Sequence, residues 1–288
     1  MIRLGYGTNG FAGHRLADAC AVIAGLGYEG VALTLDQPHL DPFADDVAAQ
    51  IAYARRTIDS HGLACVVETG SRYVMDPWHK HEPTLVSDGD RSRRIDLLRR
   101  AVRIAHELGA EAMSCWSGTV PDGVSEAEAW RRVTDGLGPV LDDAAQLGVT
   151  CCFEPEPGMF VATVDDALAL RERLGAPDQL RLTIDLGHLV CNEPGTPAES
   201  IARAGDLIAN VQVDDMVRDV HEHLQLGTGE LDLDGVLATL VATGYEGLAC
   251  VELPRHSHAA PTVARSSMET LRTALARVNA AFVEEESA

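Results

Sequence analysis

The sequence is poor in several features that would each settle its class. Basic residues are scarce, 23 Lys and Arg against 44 Asp and Glu, giving a formal net charge of −21. Nucleic acid and anionic membrane surfaces both need compensating cations, so neither is expected as a partner. No apolar run approaches the roughly 18 residues of a membrane span. The opening MIRLGYGTNG has no charged segment leading into an apolar core and a cleavage site, so no secretory signal is read. Cys-x-x-Cys pairs are absent, which argues against structural zinc. The seven cysteines are an odd number, and Cys65, Cys115, Cys151, Cys152 and Cys250 lie within apolar runs. There they read as small buried hydrophobes in a reducing compartment, and a cytoplasmic location is expected. A glycine-rich dinucleotide fingerprint is also missing, as are linkers and low-complexity tracts.

What is present is 46% hydrophobic residues, enough for a sizeable core, and a repeated pattern. Four segments, TCCFEP (150–155), LRLTIDLGH (180–188), LIANVQVDD (207–215) and GLACVELP (247–254), each carry an apolar run into a polar cluster. That is how a buried parallel strand reads. Their closing residues are Glu154, Asp185, Gln212 and Glu252. Side chains alternate along a strand, so these share a face with Cys152, Thr183, Asn210 and Cys250 respectively. Phe153, Ile184, Val211 and Val251 fall on the other face, suited to packing under helices. Three carboxylates and an amide at matching strand ends point to one site.

Earlier strands are expected over 2–7, 30–35, 63–68 and 111–116. Helices are expected over 16–26, 45–60, 91–108, 125–147 (broken near 136–139), 163–174, 197–204, 233–243 and 261–282. A frayed acidic tail follows from about residue 283. Residues 69–90 form the longest irregular stretch, the expectation for a lid carrying Arg72, Tyr73, Trp78, His79 and His81. LGYEGVAL at 26–33 and TGYEGLAC at 243–250 resemble one another, as repeated βα units would. Eight units of about 36 residues predict an α/β fold, a single-domain (β/α)8 TIM barrel over 1–288. Its site would lie at the C-terminal mouth of the strands.

Through FEPEP, TIDLGH, VQVDDM, HEHLQLGTGELD and GYEGLACVELP the chain resembles the xylose-isomerase-like TIM-barrel superfamily of sugar isomerases, epimerases and endonuclease-IV-type enzymes. The resemblance covers nearly the whole length. The ketose 3-epimerase branch implies one divalent ion held by Glu, Asp, His and Glu on strands five to eight. Those places are Glu154, Asp185, Gln212 and Glu252, with Gln212 standing where the resemblance implies His. The same resemblance implies that His188 and Arg218 hold substrate oxygens, and that Gly227, Gly229 and Glu230 form the turn after strand seven. A His near the place of His223 helps bind a further zinc in endonuclease-IV-like members. That three-metal arrangement also needs His on the early strands, where Glu68 and Trp116 stand here, so a nuclease is not expected.

If Gln212 coordinates through Oε1, the donors are all oxygen and suit Mn²⁺ or Mg²⁺, with Zn²⁺ or Co²⁺ as second choices. If it bonds only a neighbour, three protein ligands and water remain. Such an ion polarises the carbonyl of a hydroxy-ketone. Glu154 and Glu252 could then remove and return the neighbouring proton through an enediolate, or act as ligands only, leaving the base to another group. The substrate-facing set is His188, Arg218 (or an ion pair with Asp215 or Asp219), Glu156, Glu68, Trp116 and His223. Trp116 and Tyr6 read equally as a sugar-binding wall or as core. His221 and His223 share a face if their stretch is extended, reaching ion or substrate. His256 and His258 line the mouth or face solvent. The expected function is a divalent-metal-dependent sugar isomerase or epimerase acting on a small sugar or polyol. A lyase or dehydratase on an inosose or 3-keto-glycoside, and a non-catalytic ligand-binding barrel, are the alternatives. No clustered basic pocket is visible, which favours an unphosphorylated substrate. A homodimer or tetramer is expected.

Overall fold

The computed structural model describes residues 2–286. The strands are β1 (Arg3–Gly7), β2 (Gly30–Thr34), β3 (Ala64–Glu68), β4 (Met113–Cys115), β5 (Cys151–Phe153), β6 (Leu180–Asp185), β7 (Ile208–Val213), β8 (Asp215–Val217), β9 (Val220–Leu224) and β10 (Leu248–Val251). Eight of them close a barrel in the order β1-β10-β7-β6-β5-β4-β3-β2, while β8 and β9 pair antiparallel as a separate hairpin. Neighbours within the barrel run parallel, so every crossover needs a helix. Those helices are α1 (Leu16–Gly25), α2 (Val47–Ser60), α3 (Ser92–Leu108), α4 (Glu126–Leu147), α5 (Val164–Arg173), α6 (Leu186–Asn192), α7 (Pro197–Ala204), α8 (Leu233–Ala242) and α9 (Ala260–Glu286).

Side-chain alternation divides the core into two. Phe153, Ile184, Val211 and Val251 join the large cluster between strands and helices, as their parity predicts. Cys152 and Cys250 turn inward with Ala32, Val66, Ala112 and Leu248, a small plug inside the barrel. All seven cysteines are buried free thiols. Above the plug, the same inward positions become polar: Glu68, Ser114, Thr183 and Asn210 are all buried. Buried polar groups must find partners. Here Ser114 Oγ and Thr183 Oγ1 lie 2.7 Å apart, and Asn210 Nδ2 donates to Glu68 Oε1 (3.0 Å) and Thr183 Oγ1 (3.2 Å).

Three elements depart from the sequence expectation. α4 runs unbroken through Pro139. The proline removes one helical bond, but Val133, Leu137, Val140, Leu141 and Ala144 bury a continuous stripe that outweighs the loss. The expected strand over 180–188 stops at Asp185, whose carboxylate caps α6 by accepting from the backbone N–H of His188 at 2.9 Å. The stretch after β7 is a hairpin. Asp215 ties down its far turn by accepting from the N–H groups of Gly227, Gly229 and Leu231, each at 2.9 Å, with Gly227 at φ 84°. The acidic tail is helical as far as Glu286, and Ser287 and Ala288 lie outside the described residues.

Candidate active site

The strand tips surround a cavity of about 410 Å³ at the C-terminal mouth of the barrel. Glu68, Trp116, Glu154, Glu156, His188, Gln212, His223 and Glu252 all line it. Asp185 is 1% exposed and sits just beneath the wall. In register it pairs with Gln212, which pairs in turn with Cys250 on β10, so these three tips stand side by side. Main-chain bonds set the height of the two glutamates that follow strands: Glu154 N donates to Cys115 O (2.8 Å), and Glu252 N to Val213 O (3.0 Å). Asn9 Nδ2 fixes the Glu252 carboxylate by donating to Oε1 at 2.9 Å.

Crowding acids out of water disfavours their charged forms. Burial, followed by the charges of Glu156, Glu252, Glu68 and Asp185, holds Glu154 well above the usual carboxylate range. Burial also pushes Glu252 up to about 8, against the opposing pull of His223. Glu68 is pushed to about 7 by burial, although Asn210, Gln212 and Ser114 donate to it. Asp185 goes the other way. Burial would raise it, but His188, His223 and the backbone N–H of His188 outweigh that and lower it.

Several buried polar atoms here have no hydrogen-bond partner, among them Asp185 Oδ2, Gln212 Oε1 and His188 Nε2. Unsatisfied acceptors among crowded carboxylates are costly unless a cation joins them. The donor atoms are close enough to share one: those of Glu154, Asp185 and His188 lie within 4.8 Å of one another, and so do those of Asp185, His223 and Glu252. Hard oxygens with one imidazole suit a divalent ion, so the residues fit the group that the sequence implies.

The imidazoles of His188, His221 and His223 form a triangle with ring centroids 4.9, 5.5 and 5.8 Å apart. His188 Nδ1 lies 3.2 Å from Pro155 O, which leaves Nε2 facing inward. Burial, with His188 and His223 adding to it, lowers His221 to about 4. Trp116 forms the apolar wall, packed edge-on against His81 at 5.2 Å. Tyr6 is fully buried in the core.

Arg218 stands apart. It follows β8, where the turn through Asp219 (φ 61°) directs it outward. Its Nη1 donates to Val190 O (3.2 Å) and to Glu193 O at the end of α6. The last carbonyls of a helix attract such a donor, and Arg218 lines a separate cleft of about 240 Å³ rather than the barrel mouth. The sequence shows no clustered basic pocket, yet Arg72 and Lys80 of the 69–90 loop meet Arg255 on the cavity wall. Arg72 pairs with Asp36 and Arg255 with Glu222, whereas Lys80 has no ion pair among the described residues. Lys80 is the only lysine in the chain, a signal that the sequence carried. Asp214, fully buried beside His223, escaped notice because an Asp pair after a strand reads as a turn. Asn9 was legible only as a loop residue.

A sequence model described as xylose isomerase-like TIM barrel matches residues 20–274. The chain belongs to that family. L-ribulose-5-phosphate 3-epimerase of Salmonella paratyphi C is 27% identical over 195 residues, covering 66% of this chain and 68% of its own. Fructoselysine 3-epimerase of Shigella flexneri is 23% identical over 263 residues, 87% of this chain and 90% of its own. Among solved structures, an L-ribulose 3-epimerase superposes with a TM-score of 0.81 at 18% identity, covering 100% of this chain and 99% of that one. The family's barrel is therefore shared, and the relatives named here are sugar epimerases.

Proposed function

We propose that the protein is a divalent-metal-dependent epimerase or isomerase of a ketose or related polyol. The observation that carries this reading is the placement of Glu154 and Glu252. They face one monosaccharide-sized cavity from β5 and β10, with β6 and β7 between them, and burial raises both above the usual carboxylate range, Glu252 to about 8. The sugar epimerases among its relatives support the same chemistry.

Asp185, Gln212 and the two glutamates would hold the ion, which when bound polarises the substrate's carbonyl. One glutamate takes the proton from the carbon beside that carbonyl. The other returns a proton on the opposite face, which inverts the centre. Return to the neighbouring carbon gives isomerisation instead. Asn9 keeps the Glu252 carboxylate aimed inward. With Nδ1 held by Pro155, His188 presents Nε2 to a substrate hydroxyl. Trp116 offers the sugar an apolar face, and the mouth's cations bear on whichever groups lie farthest from the carbonyl.

Incubation with ketopentoses, ketohexoses and their phosphates in D₂O tests this. Deuterium should enter beside the carbonyl as a second sugar forms, and Glu252→Gln should slow exchange at least about a hundredfold with the fold intact. Exchange undiminished by chelation or by that substitution would remove the mechanism, and net loss of water would make the enzyme a lyase.

A further inference from the structure

We propose that His223, oriented by Asp214, gives the cation the imidazole that β7 does not offer at Gln212. The inference rests on the metal-dependent reading above and concerns which side chain completes the site. In the barrel, β7 lies between β6 and β10, so the corner that Gln212 faces is flanked by Asp185 and Glu252. A donor atom of His223 lies within 4.8 Å of those of both carboxylates. The side chain reaches that corner from outside the barrel, on β9 of the hairpin folded over the mouth.

The surroundings of His223 are built to orient it. Its Nδ1 lies against Oδ2 of Asp214, a carboxylate that is fully buried. Room for that carboxylate comes from Gly187 in the first turn of α6, where an added Cβ would run into Oδ1 of Asp214. A carboxylate against one ring nitrogen selects the tautomer with its proton on that side and leaves the other lone pair free for an ion, as in carboxylate–histidine–metal sites. The neighbouring rings are held differently. His188 is anchored by the Pro155 carbonyl, and His221 Nε2 lies 3.9 Å from Glu156. Adding an imidazole nitrogen to these oxygen donors shifts preference from Mg²⁺ toward Mn²⁺, Co²⁺ or Zn²⁺.

Mn²⁺ titration of chelator-stripped protein, followed by electron spin resonance, tests this without any substrate. Wild type should show electron spin echo modulation from one coordinated ¹⁴N imidazole. His223→Ala should abolish that modulation and weaken Mn²⁺ binding at least tenfold, with retention of the fold checked by circular dichroism. Asp214→Asn should keep the nitrogen signal but weaken binding about tenfold, and Gln212→Ala should keep the signal. Nitrogen modulation that survives His223→Ala would assign the imidazole elsewhere and overturn the proposal. Mn²⁺ bound by wild type without nitrogen modulation would do the same while leaving the metal-dependent reading standing, and that measurement needs no variant to fold. Wild-type protein that takes up no Mn²⁺ would remove both.

Discussion

Arg94 is a guanidinium 1% exposed with no ion pair among the described residues. It lies 3.9 Å from the Trp116 ring and donates to Thr69 O at 3.3 Å, while Nε and Nη2 have no partner. Burial lowers it to about 10. Its value is therefore its volume under Trp116 more than its charge. Arg94→Met should change stability by less than about 1.5 kcal/mol and Arg94→Ala should cost about 3 kcal/mol, measured by urea unfolding. Equal losses would show that the charge matters. His81 gives a pH prediction. Burial, and then Lys80, lower it to about 4, against an ordinary value near 6.5. As pH falls from 6.5 toward 4 the unfolded chain binds this proton first, so stability is present above 6.5 and lost on acidification. Between pH 7 and 4.5, His81→Asn should lose about 2 kcal/mol less than the parent in parallel urea titrations. At this scale Glu154, Asp185, Gln212 and Glu252 were legible because each ends an apolar run. Of the two readings of Arg218, the structure shows the ion pair, with Nε 3.9 Å from Asp219, because a ligand-like spacing says nothing about which way a turn will throw a side chain.

The β8–β9 hairpin was hidden for an elementary reason. VHEHL sets three polar residues between Val220 and Leu224 and buries no full face, so neither alternation nor hydrophobicity marks it as a strand. Its order depends on Asp215, which holds three backbone N–H groups of the next turn. Asp215→Ala should cost about 3 kcal/mol and speed amide exchange at Gly227, Gly229 and Leu231. Unchanged exchange there would mean that the hairpin is held by something else. α6 escaped similarly, because LGHLVCN continues the apolar run of β6 and only the Asp185 cap marks the change from strand to helix.

For the molecule as a whole, the barrel was the most legible feature. Parallel strands covered on both faces read as unbroken apolar runs, and eight of them separated by helix-length segments admit few alternatives. Closure is what turns separate strand ends into neighbours and brings the acids together. It also creates the charge density that a cation would relieve. Mn²⁺ at about a hundred times its dissociation constant should add about 2.7 kcal/mol and raise the melting temperature on the order of 5 °C, read by calorimetry against chelated protein. A melting curve indifferent to the ion would argue against any such site. Lys80 has a practical consequence. Apart from the amino terminus it is the only primary amine on the chain, and it stands on the cavity wall. An amine-reactive dye should therefore attach at the barrel's doorway and nowhere else on the side chains, so that its emission reports whatever enters or leaves the cavity.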